Sequence, residues 1–324
     1  MTTKNNASLQ SWLYETTAGT PLITAVNTQT YHYGGYEEKN KVSPPGFSNE
    51  IESIIMHNVR NPTLTAPKRN LEPFKVPYYP TQPIGLRKFL GTATDATPDT
   101  ITLLQTGAKK AFTHRWQHTG GTNPQLVQAC GCFTVGLAIS GQMGVPLKFE
   151  EENVFMNYED QDNRSALTTA PIHPDSIGTL YEGSPETKIY TTADALVATL
   201  SEAYWVELTL KQEYTVVKDS TGNSQIVHLG KMLPVEGIIH AVFEQNQQWD
   251  DWMDKTKRNL YFKWYKQGDT SKYVQIKIAN AYFTAAQKSG IVYANYYDEI
   301  LAFKGELPSV AFNYEGAAFS TFFP

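Results

Sequence analysis

The stretch CGCFTVGLAISGQMGVPLKFE, Cys130 to Glu150, alternates apolar with small or polar residues on both sides of a turn. On an extended chain Phe133, Val135, Leu137 and Ile139 share one face, opposed by Thr134, Gly136, Ala138 and Ser140. Gly141-Gln142-Met143-Gly144 reverses direction, after which Val145, Leu147 and Phe149 alternate with Pro146, Lys148 and Glu150. A period of two around a small-residue turn predicts an antiparallel hairpin with one face buried and the other wet.

The same period recurs outward from this hairpin. Upstream, AFTHRWQH (Ala111 to His118) alternates in the same way. Downstream, YWVELTLKQEY (Tyr204 to Tyr214) sets Val206, Leu208 and Leu210 against Glu207, Thr209 and Lys211. Further strands are predicted over Leu260 to Lys266, over Tyr273 to Phe283 with Val274, Ile276 and Ile278 aligned, and over Asp298 to Lys304. Two helices interrupt the pattern. One is short, IGLRKFL at Ile84 to Leu90, closed by Gly91-Thr92 with Gly as the C-cap. A longer one is expected over Gly237 to Lys255, with Ile239, Val242, Phe243, Trp249 and Met253 near helical spacing and Glu244, Gln248, Asp250, Asp251 and Asp254 on the wet side. Aromatics make up 12% of the chain, with 19 Tyr and 6 Trp, while charged residues reach only 18%; this composition suits half-buried pleated surfaces and a mainly β fold.

At 324 residues the chain is expected to hold two domains. Residues 1–48 read as an N-terminal arm whose aromatics, Trp12, Tyr14, Tyr31, Tyr33 and Tyr36, would pack on a neighbouring subunit. Residues 49–165 form a first β-sandwich, 166–198 a connector rich in Asp, Pro, Thr and Gly, and 199–324 a second sandwich. Element order runs strand, helix, strand, hairpin in each half, so one chain is expected to carry two versions of one small sandwich with a flanking helix.

Chemistry finds little purchase. A net charge of −5 argues against binding DNA by phosphate neutralisation, yet mild acidity suits a surface that DNA slides past. Cys130 and Cys132 are the only cysteines and read as small packed thiols, with no disulfide framework and a reducing cytoplasm as the place of folding. His114 and His118 would stand roughly 13 Å apart on a strand, too far to share a metal. Asp160-Gln161-Asp162-Asn163 resembles the start of a calcium loop, but Pro171 stands where a bidentate Glu is needed. The Asp250, Asp251 and Asp254 cluster reads as a solvated helix face. Tyr261, Trp264, Tyr265, Tyr273 and Tyr282 could stack sugars or single strands, although without a basic groove they read as core or interface. No enzyme motif, metal or cofactor is expected, and neither a signal peptide nor a run of roughly 20 apolar residues marks export or a membrane span.

With the hairpin in view, the chain resembles the tail tube proteins of long-tailed bacteriophages and archaeal tailed viruses. The resemblance rests on Cys130 to Glu150, on the Thr-Ala-Pro connector within Leu167 to Pro171, and on the short helix ending in Leu90-Gly91-Thr92. The strand Tyr204 to Tyr214 and its sequel to Phe283 are similar to the family's second half, and the whole likeness spans roughly Asn49 to Lys304. It implies a virion structural protein of tandem β-sandwich domains. Their sheets would join those of neighbours into a closed β-barrel ring, stacked along the tail as a hollow conduit through which viral DNA passes. Partners would be other copies of itself, as a trimeric pseudo-hexamer or a hexamer, together with tape measure, terminator and baseplate proteins. DNA would be cargo without sequence-specific binding, and assembly would take place in the host cytoplasm. On this reading the wet faces line the lumen through Lys148, Glu150 and Glu152 in the first half and Glu207, Lys211, Gln275 and Lys277 in the second; the same periodicity also fits an exterior solvated face. The competing readings are a terminator or baseplate protein on the same fold and a carbohydrate-binding or adhesive β-sandwich.

Overall fold

The computed structural model describes residues 8–15, 17–19, 31–32, 47–50, 53–54, 63–64, 68–80, 84–94, 99–103, 109–118, 125–162, 180–200, 203–218, 224–242, 247–293 and 296–313. Among these residues the chain is mainly β, with two short helices. The chain begins with β1 (Ser8–Tyr14), β2 (Tyr31–His32), β3 (Phe47–Glu50), β4 (Ser53–Ile54), β5 (Thr63–Leu64), β6 (Lys68–Leu71) and β7 (Phe74–Tyr78). Helix α1 (Ile84–Leu90) leads into β8 (Gly91–Thr94), β9 (Asp99–Leu103), β10 (Phe112–His118), β11 (Gln125–Gln142), β12 (Lys148–Val154) and β13 (Asn157–Asp162). Then come β14 (Glu186–Tyr190), β15 (Leu196–Leu200), β16 (Ala203–Lys218), β17 (Gln225–Met232) and β18 (Val235–Val242). Helix α2 (Gln247–Met253) precedes β19 (Arg258–Lys266), β20 (Asp269–Tyr293) and β21 (Tyr296–Asn313).

The decisive hairpin forms, although Phe133 is only half-buried and Val145, in the turn, is exposed. Val135, Leu137 and Ile139 of β11 and Leu147 and Phe149 at the start of the return strand are buried. β11 extends well beyond the predicted run and serves two ladders. Its first half, up to Cys132, lies between β10 and β13, and its second half lies between β12 and β16. The switch falls at Gly131, whose φ of +65° and whose approach to Met156, with an added Cβ only 2.7 Å from the Met156 side chain, leave no room for another residue. The Cys-Gly-Cys spacing therefore marks a strand hinge, with both cysteines buried and neither in a disulfide.

Seventeen strands join one antiparallel sheet, and β3–β6 and β4–β5 pair separately. Its main run is β7–β12–β11–β16–β18–β21–β20–β19–β14–β15. The sheet is not closed into a barrel. It is folded back on itself, however, because isolated bridges Pro146↔Glu182 and Tyr181↔Lys266 set residues 181–182 between the β11–β12 turn and the end of β19. Leu147 N donates to Tyr181 O at 3.1 Å and Gln267 N to Leu180 O at 2.9 Å along this seam. One apolar cluster fills the fold, drawing on Phe74, Phe149 and Ile139 from the first half of the chain and on Leu208, Phe262 and Phe303 from the second.

Helix α1 occupies the predicted span, and Gly91 takes the left-handed conformation (φ +99°) of a C-cap. Seven residues are too few for a helix to hold by propensity; α1 is stabilised by burying Leu86, Phe89 and Leu90. The long helix expected over 237–255 is not formed. Its first third is strand β18, in which Val235, Gly237, Ile239 and Ala241 are buried, and among the described residues of the span only Gln247–Met253 is helical. Ile239 and Val242, three apart, suit a helix face, but Val235, Gly237, Ile239 and Ala241 also alternate with a period of two, and the β-branched residues favour the sheet. Part of the stretch read as connector is also sheet. Thr187 and Ile189 of β14 are fully buried, flanked by outward Glu186, Lys188 and Tyr190.

Candidate functional site

The seven residues expected to line a channel all lie on the sheet face opposite the core, in two patches. In the first, register aligns Lys148, Ser140 and Glu207 in one row and Glu152, Gly136 and Lys211 in another, with Glu150 and Thr209 on either side of Ala138 between them. Small β11 residues thus form the floor between two charged strands. The patch is electrically balanced: Lys75 Nζ is 2.9 Å from Glu150 Oε1, and at its far side Lys304 Nζ is 2.6 Å from Glu236 Oε1. The lysine beside Glu236 holds its carboxyl below the usual range.

Gln275 and Lys277 lie elsewhere on that face, on β20, which pairs with β19, with β14 beyond it. Lys277 Nζ pairs with Asp194 at 2.8 Å, and the Lys263 ammonium stands 3.8 Å from the Tyr273 ring centre and 4.9 Å from that of Tyr265. The aromatic stripe read from the sequence is divided by this geometry. Trp264 points into the core and donates its indole N–H to Gly183 O at 3.2 Å. Tyr261, Tyr265 and Tyr273 face outward and half-buried. The Tyr265 hydroxyl donates to Glu186 and that of Tyr261 to Asp194 at 3.1 Å, so a sugar would have to displace bonds already made.

Two features missing from the sequence reading dominate the surface and the interior. The first is a ribbon in which the second half of β16 pairs with β17, from Gln212↔Met232 to Lys218↔Gln225. Cross-strand partners Val217 and Ile226 are 50% and 52% exposed. The ribbon's far end is fastened by Gln225, whose backbone N–H donates to Met156 O at 2.9 Å and whose side-chain amide donates to Phe155 O at 2.6 Å. At its base Lys109 reaches both Phe89 O, at the end of α1, and Gln212 Oε1, and burial lowers the Lys109 ammonium to about 8.

The second is a buried polar centre. Glu151, inward on β12, contacts Lys88 of α1 and accepts a 2.7 Å hydrogen bond from the Tyr78 hydroxyl of β7. The signal for it was present in the sequence, since the alternation Leu147, Phe149 continues to Glu151 and places a charge at a core position. Nearby, Glu15 accepts from Thr113 Oγ1 at 2.7 Å, Gly131 N at 2.8 Å and Gly19 N at 2.7 Å; burial nonetheless raises its carboxyl above the usual range.

Glu15 lies within the predicted arm, directly after its first strand, and that strand is bound within its own chain. β1 pairs with β10 along its whole length. Trp12 is fully buried, edge-on to Tyr14 at 5.1 Å. Tyr31 lies in β2 opposite Trp12; Tyr33 and Tyr36 fall outside the described residues. Of the acidic cluster on α2, Asp250 and Asp254 are exposed, but Asp251 is buried against Arg258, whose Nε donates to Oδ2 at 2.7 Å. His114 is buried beside Phe74 and Trp116, and Asp160 and Asp162 belong to strand β13. Among the described residues no group of three His, Cys, Asp or Glu side chains could hold a metal ion, and no helix is long and apolar enough to cross a membrane.

No protein-family model matches the chain, and a search of curated proteins likewise finds no match.

Proposed function

We propose that this chain is a structural subunit of a viral tail tube, polymerising into stacked rings whose bore conducts DNA. The observation that carries the reading is the contrast between the two margins of the main sheet. Strand β7 carries Lys75 and Pro77, devices that blunt a strand edge against pairing. Strand β15, Leu-Val-Ala-Thr-Leu, has neither charge nor proline, pairs with β14 alone among the described strands, and leaves Leu196 57% exposed. An edge of that kind recruits another strand, and in a ring of like subunits the recruited strand belongs to the next copy. The Val217–Ile226 pair on the β16–β17 ribbon offers a second apolar contact, suited to the neighbouring ring.

In this arrangement Lys148, Glu150, Glu152, Glu207 and Lys211, with the flanking Lys75, Glu236 and Lys304, supply a charge-balanced wall that neither traps nor strongly repels a phosphate backbone. Tandem tube-like halves would need three chains per ring; a single shared core per chain favours six. A terminator or baseplate subunit on the same fold would stop at one ring.

The test replaces Leu196 and Thr199 of β15 with lysine. Sedimentation of the native chain at high concentration is expected to give large assemblies, and the doubly substituted chain to stay monomeric with an unchanged circular dichroism spectrum. A native chain that stays monomeric, or a substituted chain that assembles equally well, contradicts the proposal.

A further inference from the structure

Lys88 and Glu151 meet with both side chains wholly shielded from solvent. Their surroundings are largely apolar, with the buried Cys132 and His114 as polar neighbours of Lys88. Glu151 lies between Val76 of β7 and Leu137 of β11 in the ladder, both buried. The Lys88 nitrogen stands 5.0 Å from the Trp12 ring centre and 4.6 Å from that of Phe112. The carboxyl oxygens are divided between two partners, Tyr78 on Oε1 and Lys88 on Oε2. Gly85 makes the approach of α1 possible, because a Cβ there would lie 2.5 Å from the Tyr78 hydroxyl and 2.9 Å from Glu151 Oε1.

A lone ammonium and a lone carboxylate in such a place each forfeit several kcal/mol of hydration. Burial draws Lys88 toward its neutral amine, against the opposing pull of Glu151. A neutral amine held by the fold against a carboxyl group is a nucleophile fixed beside its electrophile, the arrangement in which proximity accelerates a bond-forming step most strongly.

We propose that Lys88 and Glu151 condense into an intramolecular amide, a covalent staple between α1 and β12. The proton of the ammonium passes to Glu151 Oε2, and the amine nitrogen attacks Cδ. The negative charge that builds on Oε1 is held by the Tyr78 hydroxyl, which already donates to that atom and acts as a preorganised donor. Nitrogen then gives a second proton to Oε2, the Cδ–Oε2 bond breaks, and one water departs. Oε1 remains as the amide carbonyl, still accepting from Tyr78. One C–N bond replaces one C–O bond, no oxidant or reductant is needed, and two buried charges are removed. The joined side chains remain sealed from solvent, so water for the reverse hydrolysis is scarce. The staple stands independently of the tail-tube reading, since it requires only the fold of one chain.

Mass spectrometry of the purified full-length chain under denaturing conditions tests this directly. After allowance for the N-terminal methionine, the native chain is expected to fall short of its sequence mass by one water. Proteolysis is expected to yield a branched peptide joining the segment around Lys88 to that around Glu151. The Lys88→Arg chain should show the full sequence mass. A native chain at full sequence mass overturns the proposal, and so does a deficit that maps to any other pair; neither result depends on a variant that folds.

Discussion

Replacing Gly141 with alanine tests whether the sheet folds back on itself as described. Gly141 lies near the end of β11, where an added Cβ would stand 2.4 Å from Gly183 O and 2.4 Å from the Trp264 indole nitrogen. Gly183 is itself hemmed in by the Val145 and Gln142 carbonyls at 2.0 and 2.2 Å from any Cβ, so the obstruction is backbone that cannot swing aside. The new methyl group must push the seam apart and break the 3.2 Å hydrogen bond from Trp264 to Gly183. Overpacking costs about 1–3 kcal/mol, and a buried donor left without its acceptor adds about 1–3 kcal/mol, for a combined loss of roughly 2–6 kcal/mol. Gly144→Ala is the internal control. It has open space but a φ of +81°, so only the left-handed backbone opposes the methyl group, at about 1–2 kcal/mol. Urea unfolding followed by tryptophan fluorescence should show Gly141→Ala clearly less stable than Gly144→Ala. Equal stabilities for the two variants would refute the packing of β11 against β19 through this seam.

Other expectations follow from the same structure. Asp251→Asn removes the charge that anchors Arg258 across α2 and should lower stability by about 1–3 kcal/mol, with faster amide hydrogen exchange in α2 than elsewhere. Burial raises the folded-state value of Glu15 above its ordinary 4.5, so its contribution is fully present below that ordinary value and is lost as pH rises through the raised one. Unfolding free energies measured across that window should therefore fall with rising pH in the native chain relative to Glu15→Gln, and a pH-independent difference would contradict the burial of this carboxyl. Glutamate at Val217 with lysine at its cross-strand partner Ile226 should leave the unfolding free energy within about 0.5 kcal/mol of native, as is usual for exposed sites; a larger loss would mean that these two side chains pack on their own chain.

Much of the sheet was legible because alternation and burial coincide where one face meets the core: Val206, Leu208 and Leu210, and again Val274, Ile276 and Ile278, are buried as their spacing required. Helix α1 was legible from its terminating glycine. Misreadings arose where local pattern was short or ambiguous. Strand β14 offers one aliphatic residue in five, and β18 mixes two periods before a helix of seven residues. The arm illustrates a different limit, since exposed aromatics near a terminus and aromatics that cap their own chain's core have the same sequence; Trp12 is the second kind. The contacts of Lys88, Glu151 and Tyr78 join residues 63 and 73 positions apart, so only the misplaced charge in the β12 alternation hinted at them. Lys148, Glu150 and Glu207 alternate with buried neighbours because periodicity fixes a face, but periodicity does not say what that face meets.

Electron microscopy of the purified chain at high concentration therefore bears most directly on the proposed role. Long hollow tubes of uniform bore, built from stacked rings of six chains, are the expected result. A field of dispersed single particles with neither rings nor tubes would contradict it.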